Sequence, residues 1–478
     1  MIKENNFKVN VSSEIGTLRT VIVHSPDKGL GKVVPSKAQD WLFEDIVHLD
    51  TIRKDEYDYY LKVLLYFLDP DKIKGKLKAI DGDTERSFYK PNHPQFHNSE
   101  RVIELQSLLT DILIETDIRK KLVAAVCAIE GLTYQIQNTL IATEAAELAK
   151  IIISGSIEND QMIFAPIPNL IFTRDIGITI NQHILLNKPA KKARSRETLL
   201  ARYIFFNHPL FKDYKDNIIE IPNAAQHFLR PGEENEERSS LEGGDLMVLS
   251  EDHLLIGFSE RTSASAISET IKILFDKKIV KKITVIKIPH RRDFMHLDTV
   301  FTQVKKNLWV ILHAIGKVDM RGDLSEPIDH LIDCTPMDSA EITQFFVDNI
   351  SKPKKFLSIE SLLADVSEND LGSTEKTEFV YSGNEEFPYD SREQWTDSCN
   401  LLALKEGVVL GYDRNDYTIK AFENKGFTII HVKDLLEKFE SGELSPDTLQ
   451  DTFIKMPSAE LSRARGGFHC MSLPICRD

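Results

Sequence analysis

One local pattern recurs in the chain and constrains the fold more than any other feature: two short strands, an arginine, a helix and a further strand. In one copy, residues 245–249 and 253–258 read as strands about the turn Glu251-Asp252, Glu260-Arg261-Thr262-Ser263 follows, and a helix to Phe275 leads into a strand over 283–288. In another, strands over 401–404 and 408–412 flank Lys405-Glu406-Gly407, Asp413-Arg414-Asn415 follows, and a helix to Glu423 leads into a strand over 427–432. A looser copy runs through a strand at 183–186, Arg194, a helix over 196–207 and a strand at 218–221. One such unit cannot bury its own apolar faces, whereas repeated units stack about a common centre and share a core. The arginines that follow the hairpins would then converge on that centre. The alternative is an open α/β sheet in which the repetition has no structural meaning.

The first third reads differently. Residues 17–24 (Thr-Leu-Arg-Thr-Val-Ile-Val-His) form a β-branched strand that stops at Ser25-Pro26. Residues 37–68 and 98–150 read as helix, with Leu105, Leu108, Leu109 and Ile112, and then Leu122, Val126 and Ile129, at helical spacing. No strand signal interrupts roughly 60–155, which therefore reads as an all-α insertion. With 478 residues the chain has length for two or three domains. The polar stretches 230–240 and 364–394 read as solvated loops.

Charge and cysteine usage exclude several function classes. Lys+Arg total 59 against 74 Asp+Glu, a formal charge of −15. An acidic surface repels phosphate backbones, so nucleic acid is an unsuitable partner and a small cationic substrate a suitable one. The first residues lack the apolar core of a signal peptide, and no apolar run approaches the roughly 18 residues of a membrane span. Five cysteines, Cys127, Cys334, Cys399, Cys470 and Cys476, are an odd and small number, expected to be free thiols in a cytoplasmic setting.

Four short segments could carry chemistry. In Arg465-Gly466-Gly467-Phe468-His469-Cys470 the glycines let backbone approach a ligand, and Arg465 and His469 could support a thiolate. His296-Leu297-Asp298 places a base and a carboxylate on one face if extended. The same pair, completed by His290, His330 or His469, would also suit a non-haem iron triad, although such a site would leave Cys470 unused. Glu242-Gly243-Gly244-Asp245 and Phe172-Thr173-Arg174-Asp175 set carboxylates beside turn and aromatic residues. Singly, each is more simply a turn, a surface ion pair or a buried thiol. Together they offer carboxylates that can hold a planar guanidinium by paired hydrogen bonds, a thiolate that can attack its carbon, and a His that can protonate leaving ammonia and then activate water.

These motifs resemble the arginine deiminase family over nearly the whole chain. The resemblance rests on Ser13-Glu14-Ile15-Gly16, Leu42-Phe43-Glu44-Asp45-Ile46, Pro168-Asn169-Leu170 through Asp175, Ala193-Arg194 with Arg196-Glu197-Thr198, and Leu241-Glu242-Gly243-Gly244-Asp245. It continues through Glu260-Arg261-Thr262-Ser263, Met295-His296-Leu297-Asp298 through Phe301, Gln394-Trp395 with Asn400, Tyr412-Asp413-Arg414-Asn415, and Glu460-Leu461-Ser462-Arg463 through Pro474. It implies a five-bladed α/β propeller, the pentein fold, formed by 1–59 and 156–478, with 60–155 as an inserted helical subdomain. It implies hydrolysis of L-arginine to L-citrulline and ammonia. Cys470 would be the nucleophile and His296 the acid and then base. Glu242 would orient His296, and Asp175 and Asp298 would hold the guanidinium. Asn169, Arg194, Arg261 and Arg465 would face the α-carboxylate end, with Phe172 on the aliphatic stem. No metal or organic cofactor is implied, and a homo-oligomer is compatible with the pattern. Agmatine, methylated arginine or peptidyl arginine as substrate, or a non-catalytic arginine-binding protein, are the alternatives; Arg194 and Arg261 argue for a free α-carboxylate. Phe468 beside the nucleophile, Ser25 and Asp27 after the first strand, and the two polar stretches depart from the family pattern.

Overall fold

A computed structural model describes residues 7–41, 43, 45–157, 161–222, 239–290, 294–312 and 341–478. The described strands fall into five small sheets. Each contains an antiparallel pair joined along one edge by a parallel strand, and in four of the five that pair is a hairpin followed by a helical crossover. His183–Leu186 pairs antiparallel with Gly177–Ile180 and parallel with Ile218–Glu220, reached through the helix Ser195–Asn207. Leu246–Ser250 and His253–Phe258 form the next hairpin, and the helix Ala264–Asp276 returns the chain to Lys282–Lys287, parallel to His253–Phe258. Ile342–Phe346 and Lys354–Phe356 extend that sheet to five strands.

The sequence reading found three such units, and the structure contains two more. Phe301–Lys305 and Leu308–Ile311 form a hairpin whose parallel partner, Glu378–Tyr381, follows the helix Ile359–Asn369. The stretch 364–394 is therefore not a solvated loop. It supplies part of that helix, this strand and the helix Tyr389–Trp395, with Val380 and Glu393 buried. The fifth sheet joins the distant parts of the chain: Leu18–Val23 runs antiparallel to Leu473–Arg477 and parallel to Val102–Glu104. That last strand interrupts the segment 60–155, where no strand was expected. In the unit at 402–456 the parallel neighbour of Val408–Tyr412 is Thr452–Met456, and Thr428–His431 lies outside it.

Capping residues mark several ends of the helices between Leu105 and Ser154. Thr133 and Glu144 cap N-termini through their side chains, and Gly131 and Gly155 end helices in the left-handed conformation. Their apolar faces, including Leu108, Leu109, Ile112, Val126 and Ile152, share a core with Ile184, Phe205 and Leu473. The helix Asp58–Leu68 packs elsewhere: Tyr60, Leu61 and Leu64 share a core with Leu410, Leu435, Phe468 and Cys470. Among the described residues, no helix is long and apolar enough to cross a membrane. Cys127, Cys399, Cys470 and Cys476 are free and buried, whereas Cys334, His330 and most of 230–240 lie outside the described residues.

Candidate active site

Cys470 stands in the turn that precedes the strand Leu473–Arg477. Its carbonyl accepts the Arg174 backbone N–H at 3.0 Å, which ties the turn to the segment carrying Phe172 and Asp175. Tyr412 donates from its hydroxyl to the Gly466 carbonyl at 2.6 Å, and Phe468 packs between Tyr60 and Tyr412 with ring centroids 5.1 Å from each. Phe468 thus points away from the reacting groups into an aromatic core.

His296 precedes a helical turn at Leu297–Thr299 and is buried. One ring nitrogen, Nε2, lies 2.8 Å from Glu242 Oε2. Gly244 permits this approach, because a Cβ there would lie 2.6 Å from His296 Nδ1. Asp245, to which the sequence assigned no separate role, accepts the Leu297 N–H at 3.0 Å and the hydroxyls of Ser259 and Thr262 at 2.6 Å, holding the turn that presents His296. Burial disfavours the imidazolium, but Asp175, the Glu242 hydrogen bond and Asp245 outweigh it and raise the His296 pKa to about 10. Glu242 is likewise held well below the usual carboxylate range: its burial is overcome by His296, Arg261 and Arg194. At neutral pH the pair is imidazolium and carboxylate.

Asp298 faces the sulfur. Its Oδ2 lies 3.4 Å from Cys470 Sγ and 2.9 Å from His469 Nδ1, and the other His469 nitrogen is 3.1 Å from Glu14 Oε2. His469 therefore bridges two buried carboxylates, and Glu14 is also paired with Arg174 at 2.8 Å. Burial, then Asp298 and Asp175, push the Cys470 thiol well above its ordinary pKa. The sulfur at rest is a thiol with an acceptor beside it.

Arg194 differs from expectation. Its guanidinium lies in the acidic cluster: Nη1 is 2.7 Å from Asp175 Oδ2 and 3.6 Å from Glu242 Oε2, and Nε donates to Glu197 Oε2 at 2.8 Å. These carboxylates raise its pKa despite full burial. Arg261 also reaches the cluster, 4.0 Å from Glu242, whereas Arg414 bonds Ser462 and does not line the cavity. Two of the three hairpin arginines converge. Phe172, Asn169 and Arg465 line the same cavity as Arg194, His296 and Cys470. The space in it open to a water-sized sphere is about 30 Å³, room for one or two waters. Asp175 Oδ1, Asp298 Oδ1, Arg261 Nε, Arg465 Nε and Arg465 Nη1 are buried without a hydrogen-bond partner.

Among the described residues, one group of His, Cys, Asp or Glu brings three ligand atoms within 4.8 Å of one another: Asp175, Glu242 and His296. It is not the His296–Asp298 triad considered from sequence, and Arg194 already supplies a cation to two of its members. A buried thiol, an imidazolium and carboxylates gather here about a guanidinium, a set of groups suited to guanidino chemistry. The chain belongs to the arginine deiminase family, whose model matches residues 135–477. It is 30% identical to an arginine deiminase of Staphylococcus aureus (strain MRSA252) over 478 residues, and 29% identical to one of Listeria monocytogenes serotype 4a (strain HCC23) over 483 residues, covering 98% of each chain in both cases. Among solved structures it resembles an amidinotransferase of Microseira wollei, with TM-score 0.44, 14% identity, and 98% and 97% of the two chains covered.

Proposed function

We infer that this protein hydrolyses free L-arginine to L-citrulline and ammonia through a covalent S-alkylthiouronium on Cys470. The observation that carries this reading is Arg194: a guanidinium already rests between Asp175, Glu197 and Glu242, beside the imidazolium of His296. The unpartnered polar atoms agree in sign. Two carboxylate oxygens call for a cation, and the Arg261 and Arg465 nitrogens call for an anion, as a molecule with a guanidinium and a carboxylate provides.

Substrate takes the place of the Arg194 side chain on Asp175, and Arg194, still paired with Glu197, turns with Arg261 and Arg465 to the α-carboxylate. Asn169 lies beside them and Phe172 packs on the aliphatic stem. The arriving cation offsets the field of Asp175 and Asp298 on the sulfur and lowers its pKa. The thiol proton passes to Asp298, 3.4 Å away, and the thiolate attacks the guanidinium carbon. His296 gives its proton to one nitrogen, the carbon–nitrogen bond breaks and ammonia leaves. Neutral His296, oriented by Glu242, then takes a proton from water and hydroxide adds to the carbon; the sulfur departs as thiolate and regains its proton from Asp298, and the added hydroxyl loses its proton to solvent, releasing citrulline. The fixed carboxylates stabilise the cationic intermediates without reorganisation.

This reading also places the five sheets as blades about the site, with 1–59 and 156–478 as the propeller, 60–155 as the helical insertion, and the free thiols in a cytoplasmic setting. Cys470→Ser tests the chemistry: it should bind arginine by calorimetry yet form no citrulline or ammonia. Wild-type turnover in that variant would end the mechanism. A panel of arginine, agmatine, methylated arginine and peptidyl arginine tests the substrate, with arginine expected to lead.

A further inference from the structure

We propose that Asn400 is a catalytic residue of the reaction inferred above: its side-chain amide locks the Cys470 backbone and donates a hydrogen bond to the attacking sulfur. Asn400 is buried just ahead of the strand Leu402–Lys405. Its Oδ1 accepts the Cys470 backbone N–H at 3.1 Å, and its Nδ2 donates to the Asp298 backbone carbonyl at 3.3 Å. Only an amide oxygen can take the first bond and only the nitrogen can give the second, so two backbone partners fix which way the amide faces. The second N–H of the same nitrogen is then directed to Cys470 Sγ, 3.2 Å away. One planar group thereby registers the loop bearing the nucleophile, the segment bearing Asp298, and the sulfur itself.

Two further observations agree. A Cβ on Gly467 would lie 2.5 Å from the Asn400 carbonyl oxygen and 2.7 Å from Oδ1, so the nucleophile loop is pressed against this residue. The charges acting on the sulfur also leave a donor wanted: Asp298, Asp175 and Asp397 all oppose the thiolate, and the Asn400 amide favours it. His296, Arg261 and Arg465 are cations in the same cavity, but a hydrogen bond is directional and is made to the sulfur before substrate arrives.

The proposal rests on Cys470 as nucleophile, and its test reads that sulfur directly. Asn400→Asp keeps the shape and the acceptor for the Cys470 N–H but removes the donor; Asn400→Ala removes the donor without adding charge. The rate of iodoacetamide alkylation at Cys470, followed by peptide mass from pH 7 to 10 without substrate, should shift to higher pH in both variants. The kcat for arginine should fall about 10- to 100-fold, the range for a lost hydrogen bond to a charged group, with KM within about threefold. Either variant, folded by circular dichroism, with an unshifted alkylation profile and near wild-type kcat would overturn the role. Wild-type protein that alkylates normally but makes no citrulline would instead overturn the arginine reading and leave the clamp standing.

Discussion

Arg194 illustrates how much a single side chain can do in a site of one predominant charge. Asp175, Glu197 and Glu242 are buried together, and without an internal cation their mutual repulsion would force protonation or unfolding. Removing one partner of a buried ion pair costs about 3–5 kcal/mol, so Arg194→Leu should lower the thermal midpoint markedly by calorimetry. Arg194→Lys keeps the charge but loses the planar fork that bonds Asp175 and Glu197 together. That variant should retain most of the stability while KM for arginine rises. The kinds of residue in this cluster were legible in the sequence, because Cys470, His296 and the carboxylates stand in recognisable motifs. Of their pairings, only that of Glu242 with His296 was expected from the resemblance. Whether Arg194 faces a ligand or Asp175 depends on a rotamer, and the bridge from Glu14 through His469 to Asp298 joins positions no local pattern connects.

At the scale of elements, local spacing announced hairpins wherever both strands and the following helix lie close together in sequence. The unit beginning at Phe301 escaped because its parallel strand, Glu378–Tyr381, is separated from the hairpin by many residues and lies in a polar stretch. Charge counting reports a solvated face but does not distinguish a loop from a strand whose other face is buried. Val102–Glu104 is too short to interrupt a helical pattern, and only pairing with Leu18–Val23 makes it a strand. The aromatic grip on the nucleophile loop belongs to this scale too. It takes Tyr60 from the helix Asp58–Leu68 and Tyr412 from the end of the strand Val408–Tyr412. Tyr412→Phe leaves the Gly466 carbonyl without its 2.6 Å donor, a loss of about 1–3 kcal/mol for a buried acceptor. Urea unfolding should register that loss, and kcat should fall with it because Gly466 adjoins Phe172 across the cavity.

The molecule as a whole is drawn together by charges held away from water, and pH exposes this. His24 lies between Glu104 at 3.0 Å and Asp27 at 3.2 Å, at the seam where the strand Leu18–Val23 meets Val102–Glu104. Burial disfavours its charge, but the bonds to Asp27 and Glu104 raise its pKa to about 9, from an ordinary 6.5. His296 is raised further, to about 10. A group whose pKa is higher folded than unfolded stabilises the fold fully below the unfolded value, and that contribution drains away as pH climbs through the folded value. Both imidazoliums therefore stabilise the protein at pH 6 and lose effect progressively from about 6.5 to 9 for His24 and to 10 for His296. The thermal midpoint should fall across this alkaline window. His24→Gln separates the two contributions, since His24 has no part in the proposed chemistry. It should be less stable than wild type at pH 6 yet decline less steeply between pH 7 and 9, converging on wild type at the alkaline end. Parallel midpoint curves for the two proteins would show that the His24 proton does not tie the first sheet together.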